Sequence, residues 1–126
     1  VITKVTLKIK TKAVSGTDPF TTHQYIKVDI RSGGFSNNTA LQLIDFQSAA
    51  SKNWIGTIKN TPVSNWYSVV LKSLAYPYIN LTSATQFRLF FKLDDDNDNV
   101  ADYIQFFSGN AAVADRPQLI VEYYVP

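Results

Sequence analysis

The sequence predicts an all-β fold, an antiparallel β-sandwich of the jelly-roll type with about eight strands. Apolar and polar residues alternate with a period of two, as at Val5, Leu7 and Ile9, which is the pattern of a half-buried strand. Glycine, proline and asparagine recur between such segments and mark frequent turns. No segment keeps a helical period for more than a turn or two. Short strands with many turns are typical of sandwiches and jelly rolls.

Segments with the strand pattern follow one another along the whole chain. In order they are residues 5–9, 26–30, 41–46, 54–58, 66–71, 87–93, 103–107 and 119–125. Turn-forming residues separate them at positions 15–19, 32–34, 59–62 and 108–110. Several segments carry large apolar residues on both faces, as expected for strands that are covered on both sides or lie at an interface.

Length and composition narrow the class of protein further. The chain has 126 residues, which predicts a single β-sandwich domain over residues 1–126. Its 12 basic and 10 acidic residues give a net charge of +2, so we expect no nucleic-acid partner. No apolar run approaches ~18 residues, and we therefore expect no membrane span. The lack of cysteine excludes disulfides and thiolate chemistry.

Catalytic residues are hard to assemble from this sequence. His23 is the only histidine, so any Ser/His/Asp triad would have to use it, and a surface residue is the simpler interpretation. A two-carboxylate glycosidase needs one acid in an apolar pocket, and Glu122 is the only acid in an apolar setting. An outward-facing strand residue explains Glu122 equally well. We therefore predict that the protein is not an enzyme.

Half of the acidic residues are concentrated at one turn between two predicted strands. Five of the ten fall between positions 94 and 102. Calcium takes six to eight oxygen ligands, and a tight turn of this composition can supply them. The spacing resembles the first half of an EF-hand loop but lacks its glycine and its bidentate glutamate. A solvated hairpin tip is the alternative, because Asp and Asn are good turn formers. The candidate calcium ligands are Asp94, Asp95, Asp96, Asn97, Asp98, Asn99 and Asp102.

Aromatic residues make up 13% of the chain and provide candidate sugar-binding surfaces. Sugar-binding sites use exposed tryptophan or tyrosine faces, because the C–H surface of a sugar stacks on a ring. Trp54 follows a polar pair, and Tyr76 and Tyr78 lie in a loop-like segment, so these three are the predicted carbohydrate-binding residues. Trp66 is a fourth candidate. Packing in the core is the alternative for each ring.

Six segments of the chain resemble the C-terminal part of DNRLRE-type β-sandwich domains. The segments are residues 2–7, 65–69, 79–82, 87–91, 102–110 and 116–123. Such domains are extracellular modules of bacterial and archaeal surface proteins and polysaccharide-active enzymes, and some of their relatives are carbohydrate-binding modules. The resemblance implies an extracellular or cell-surface location. It also implies that the sandwich lacks the opening strands of the family, which precede the counterpart of residues 2–10.

These observations lead to two functional expectations. The first is a non-catalytic binding or adhesion module of a surface or secreted protein, with a polysaccharide or cell-surface glycan as its partner. The second is a structural, self-assembling subunit of a fibre or surface layer. In that case a copy of the chain or a neighbouring domain would add a strand beside residues 2–10. Lysines 4, 8, 10 and 12 could instead guard that edge and keep the chain monomeric.

Overall fold

A computed structural model describes residues 1–126 and contains seven strands in two antiparallel sheets. The all-β prediction is therefore confirmed. The strands are β1 (Ile2–Ser15), β2 (Ile26–Ser32), β3 (Lys52–Ile58), β4 (Trp66–Val70), β5 (Thr85–Phe91), β6 (Tyr103–Phe106) and β7 (Gln118–Tyr123). The helical segments are α1 (Pro19–Thr22) and the 3₁₀ turns Phe35–Asn37, Leu43–Phe46, Ser73–Tyr78 and Val113–Asp115. No helix here is long and apolar enough to cross a membrane.

The first sheet is built around β1, which at 14 residues is the longest strand. Its first part pairs with β4 and with β7, for example at Leu7, which lies opposite both Val69 and Leu119. Its last part, from residue 11 to residue 15, pairs with β6. β7 pairs with residues 2–8 and β4 with residues 6–10, so the chain itself occupies both sides of residues 6–8, and the expected open edge does not run along the whole of residues 2–10.

The second sheet has β2 at its centre, between β3 and β5. Ile26, Val28 and Ile30 point from β2 toward the first sheet, where the odd-numbered residues of β1 meet them. Burial of these alternate residues on both strands produces one apolar core of 13 residues between the sheets. The alternation that predicted the strands is thus the pattern that forms the core.

The two sheets meet closely along the side formed by β3 and β4. The Lys72 N–H, just beyond β4, donates a hydrogen bond of 2.8 Å to the carbonyl of Ile55 in β3. Gly56 makes this approach possible, because a Cβ there would lie 2.9 Å from a methyl carbon of Val69. This side of the sandwich is closed by backbone hydrogen bonding and by packing.

The opposite side, formed by β5 and β7, is open. Neither strand contains a fully buried residue, although both carry several large apolar side chains. A cavity of about 650 Å³ lies there, lined by Ile2, Ile79, Leu81, Leu119 and Val121 among others. We call the gap between β5 and β7 the open seam.

Backbone groups of β5 are also unpaired along the open seam. Hydrogen bonds from Lys92 to Tyr25 and from Gly33 to Ala84 show that the even-numbered residues of β5 direct their backbone toward β2. Phe87 and Leu89 therefore direct their N–H and C=O groups away from the sheet. The edge of β5 is available to another strand.

The predicted strand over residues 41–46 is wrong, because this segment contains the 3₁₀ turn Leu43–Phe46. Two side chains account for the turn. The Asp45 carboxylate accepts a hydrogen bond of 2.8 Å from the Gln42 N–H, and Arg88 donates to the carbonyls of Asp45 and Phe46. Side chains thus satisfy backbone groups that a strand would pair with a neighbour.

Tyr67 links β4 to the cap of α1 through a chain of hydrogen bonds. Its hydroxyl donates to Asn60 at 2.9 Å, and the Asn60 amide donates to Asp18 at 3.2 Å. Asp18 also accepts from the Phe20 N–H and so caps α1. Burial, together with the nearby charge of Asp18, raises the pKa of Tyr67 above its ordinary value, so this phenol stays protonated to higher pH than a free tyrosine.

Candidate functional site

A bulge in β3 places Trp54 on the outer face of the second sheet. Val28 lies opposite Gly56 and Ile30 lies opposite Lys52, so residues 53–55 face the single residue Asp29. Trp54 adopts a φ of 51°, in the left-handed region. For an L-residue this conformation costs roughly 1–2 kcal/mol. Other contacts must offset that cost.

The buried carboxylate of Asp29 holds the bulge in place. One oxygen accepts a hydrogen bond of 2.7 Å from the Trp54 N–H, and the other accepts one of 2.7 Å from Arg88. The Trp54 carbonyl accepts a bond of 2.9 Å from the Lys72 ammonium group, and its indole N–H donates to the Thr57 hydroxyl at 2.9 Å. The backbone and the ring of Trp54 are therefore both fixed.

Arg88 connects this bulge to the loop that covers the neighbouring part of the outer face. The guanidinium group donates to the carbonyls of Asp45 and Ser48 at 2.8 Å, and it lies 4.7 Å from the centre of the Phe35 ring. Asp29 is only 2% exposed beneath this loop. Asp29 is thus buried with both of its carboxylate oxygens hydrogen-bonded, and the Arg88 side chain, at 17% exposure, is largely buried beside it.

Beside the covered part lies an open surface, which we call the aromatic platform and define as Tyr25, Trp54 and Phe90. Trp54 is 43% exposed and Phe90 is 40% exposed, whereas Tyr25 is half-buried at the edge of this surface. The rings of Tyr25 and Trp54 are nearly parallel, at 14°, with centres 6.3 Å apart. Phe90 reaches the same face because it lies opposite Lys27 in the β2–β5 register.

Three lysines surround the aromatic platform, and we call them the lysine rim. The ammonium groups of Lys27 and Lys72 lie 4.8 and 5.2 Å from the centre of the Trp54 ring. That of Lys92 lies 5.7 Å from the centre of the Tyr25 ring. These are cation–π distances, and they keep positive charge above the platform. Rings and ammonium groups together can contact both the apolar and the polar groups of a ligand.

The other predicted sugar-binding rings lie elsewhere. Tyr76 and Tyr78 belong to the 3₁₀ turn Ser73–Tyr78 and are partly buried against the core, so the expected exposure of both rings is not found. Trp66 lies on the outer face of the first sheet, near Lys8 and Lys10. Of the four candidate sugar-binding rings from the sequence, only Trp54 is well exposed.

Sequence reasoning missed Tyr25, Phe90 and the lysine rim. The alternation of inward-facing and outward-facing positions along the strands indicated part of the site. Lys27 and Phe90 fall on the polar, outward-facing positions of β2 and β5. An aromatic residue at such a position, opposite a lysine, indicates an exposed ring rather than a core ring. The contribution of Lys72 depends on the contact between the two sheets, which the sequence does not reveal.

The acidic turn brings together three of its seven candidate ligands. Asp96, Asp98 and Asp102 each place a carboxylate oxygen within 4.8 Å of the others. One oxygen of Asp102 accepts a hydrogen bond of 2.7 Å from the Thr17 N–H, and the other is buried without a partner.

The other four candidate ligands do not belong to the carboxylate cluster. Asp95 accepts a hydrogen bond of 2.7 Å from the Asn97 N–H, which stabilises the turn. Asn97 and Asn99 both have φ of 59°, a conformation that asparagine tolerates. Asp94 is exposed and lies outside the carboxylate cluster. Turn formation and carboxylate clustering therefore coexist in this segment.

The two residues considered for catalysis occupy separate places. His23 exchanges a hydrogen bond of 2.6 Å with the hydroxyl of Thr22 and packs near Phe91. Glu122 forms an exposed salt bridge of 2.8 Å with Lys4. The hydrogen bond and the charge of Glu122 raise the pKa of Lys4.

The sequence predicts a resemblance to DNRLRE-type domains. No family model, curated protein or solved structure matches the chain. The resemblance therefore stays a prediction made from the sequence, and the candidate site is assigned from the contacts of this chain alone.

Replacing Asp29 by asparagine should lower the free energy of unfolding by about 3 kcal/mol, because it leaves the largely buried charge of Arg88 without a counter-ion. Denaturant unfolding of the wild type and the variant measures this change. Glu122→Gln is the matched control, since it removes a carboxylate from a solvent-exposed pair and should leave the midpoint almost unchanged. Equal midpoints for the two variants would contradict a central role for the buried pair.

Proposed function

We propose that the protein is a non-catalytic binding module of a secreted or cell-surface protein that binds a glycan on the aromatic platform. The observation that carries this proposal is the left-handed conformation of Trp54, an exposed ring that a buried carboxylate holds on the outer face. Backbone strain of this kind is concentrated at functional sites, and the inference runs from the strain to the function.

The shape of the platform supports a polymeric ligand. Small-molecule sites are concave and bury most of their ligand. The platform instead lies on the outer face of a sheet, with Trp54 and Phe90 both partly exposed. Aromatic faces in this arrangement can stack against successive sugar rings. The extracellular location and the jelly-roll type of sandwich belong to the same proposal, and the resemblance of residues 102–110 and 116–123 to DNRLRE-type domains supports both.

We also propose that the acidic turn holds calcium in a structural role. Three converging carboxylates repel one another unless a cation neutralises them. The unpartnered oxygen of Asp102 supports the proposal, because a buried carboxylate oxygen is normally satisfied. Asp96 and Asp98 would be the other carboxylate ligands, with backbone oxygens or water completing the shell.

A second candidate function is that of a structural subunit completed by a strand from another chain. The open seam favours it, because the seam combines a cavity of about 650 Å³ with the unpaired edge of β5. Exposed apolar side chains lie nearby, including Leu81 at the cavity itself. An added strand would pair the edge and fill the cavity with alternate side chains.

Trp54→Ala should abolish glycan binding or weaken it at least about tenfold, because stacking on this ring is lost. A glycan array identifies the ligand, and calorimetric titration then measures its affinity for the wild type and the variant. Trp66→Ala is the matched control, since it removes the same ring from the outer face of the other sheet. Unchanged affinity in Trp54→Ala, or failure of the wild type to bind any glycan, would exclude the platform.

Removal of calcium with a chelator should lower the melting temperature by several degrees, because an ion bound only by the folded state stabilises that state. Added calcium should restore the melting temperature, whereas magnesium at the same concentration should not. The double variant Asp96→Asn and Asp98→Asn should melt at the same temperature with and without calcium. Identical melting curves of the wild type in chelator and in calcium would refute the proposed site.

If the open seam receives a strand from another chain, the protein should associate as its concentration rises. Light scattering over a range of concentrations measures the mass. Leu119→Lys places a charge in the cavity and should keep the protein monomeric, while Val113→Lys, on an exposed turn outside the cavity, should not. A wild type that is monomeric at every concentration would rule out self-assembly through the seam.

A further inference from the structure

The lysine rim is a cluster of positive charge on the outer face of the second sheet that no acid neutralises. The protein contains three salt bridges, Lys4–Glu122, Lys10–Asp115 and Arg88–Asp29. None of them includes a lysine of the rim. The platform thus carries three positive charges without a counter-ion within salt-bridge distance.

The outer face of the first sheet provides a contrast within the same molecule. Lys10 there also lies near aromatic rings, at 5.9 Å from Trp66 and 5.8 Å from Phe107. Its ammonium group, however, is paired with Asp115 at 2.5 Å. Lys4 on that sheet is paired with Glu122. Two of the four lysines of β1 therefore have an acidic partner, Lys8 and Lys12 have none, and no lysine of the rim has one.

We infer that the glycan bound by the aromatic platform is an acidic polysaccharide. Its carboxylate or sulfate groups pair with Lys27, Lys72 and Lys92, and its sugar rings lie on the aromatic faces. Each ammonium group offers three donors, and Lys72 uses one of its three on the Trp54 carbonyl, so donors remain for a ligand. This inference rests on the proposed function and specifies the chemical class of its ligand.

Charge complementarity distinguishes an acidic ligand from a neutral one. Lys27 and Lys72 both lie within 5.2 Å of the centre of the Trp54 ring. A neutral sugar that stacks on Trp54 must displace or desolvate these ammonium groups without a compensating charge, which is unfavourable. An acidic sugar instead keeps them in place by forming charge-assisted hydrogen bonds.

A polysaccharide fits the platform better than a nucleic acid does. Nucleic-acid binding commonly neutralises roughly 6–10 phosphates, and the rim supplies only three lysines. The net charge of the whole chain is only +2, which gives little long-range attraction to a dense polyanion. A polymer with about one charge for each sugar matches the sparse charge of the rim.

Polygalacturonate and its fully methyl-esterified form provide a matched pair of probes, because they share one backbone and differ in charge. We expect the wild type to bind the acid at least about tenfold more tightly than the ester. Binding of the acid should weaken as sodium chloride is raised. Dextran sulfate tests a sulfated polymer, and single-stranded DNA tests a nucleic acid of comparable length.

The triple variant Lys27→Gln, Lys72→Gln and Lys92→Gln should lose this binding. Lys4→Gln, Lys8→Gln and Lys12→Gln together form the control, because they remove the same charge from the first sheet and should keep it. Loss of binding to an acidic probe in the first variant alone supports the inference.

Four other outcomes would overturn it. Equal loss in both triple variants would indicate attraction to net charge, and binding of DNA at least as tight as of the acidic glycans would indicate a nucleic-acid site. A neutral glycan that needs Trp54 but none of the three lysines would leave the proposed function intact and disprove the acidic ligand. If no glycan of either kind binds, the proposed function fails as well.

Discussion

The ion pair between Asp29 and Arg88 joins the bulge of β3 to the loop that covers the neighbouring part of the outer face. Asp29 stands opposite the bulge and fixes the backbone of Trp54, while Arg88 gathers the carbonyls of the covering loop. A buried pair of this kind adds little stability by itself, because desolvation offsets much of the attraction. Its effect is positional, since the same two side chains determine which part of the face is covered and which part stays open.

The sandwich is asymmetric from one side to the other. Where β3 meets β4, the missing side chain of Gly56 and a hydrogen bond between Lys72 and Ile55 join the two sheets. Where β5 approaches β7, apolar residues remain partly exposed around a cavity. Burial of apolar surface contributes roughly 25 cal/mol for each Å² removed from water. Covering the apolar residues of the open side would therefore stabilise the protein further. The aromatic platform depends on contacts at the closed side for Trp54, and it shares β5, which carries Phe90 and Arg88, with the seam.

The sequence was sufficient to predict the fold class and most strands. Burial of one face of a strand requires apolar and polar residues to alternate, and this alternation is a local pattern. It failed over residues 41–46, where the apolar composition suggested a strand but Arg88 and Asp45 supply the hydrogen bonds of a 3₁₀ turn. The sequence also did not predict that β1 is central in the first sheet. Its pairing partners in β7 lie more than 100 residues away, and such pairing produces no local pattern in the sequence. Of the candidate site, Trp54 was predictable from its polar neighbours. The bulge that exposes Trp54 depends on a buried carboxylate from another strand, and no local pattern reports such a contact.

The central place of β1 has a consequence for how the chain acquires its structure. β1 is synthesised before its partners, yet Lys8 pairs with Gln118, and Ile2 pairs with Tyr123. The first sheet therefore cannot be completed until residues 118–123 have been made. Contacts this distant along the sequence slow folding, because a large loop must close before they form. Until then the side of β1 that β7 covers has no partner, whereas β4 can pair with residues 6–10 as soon as residue 70 has been made.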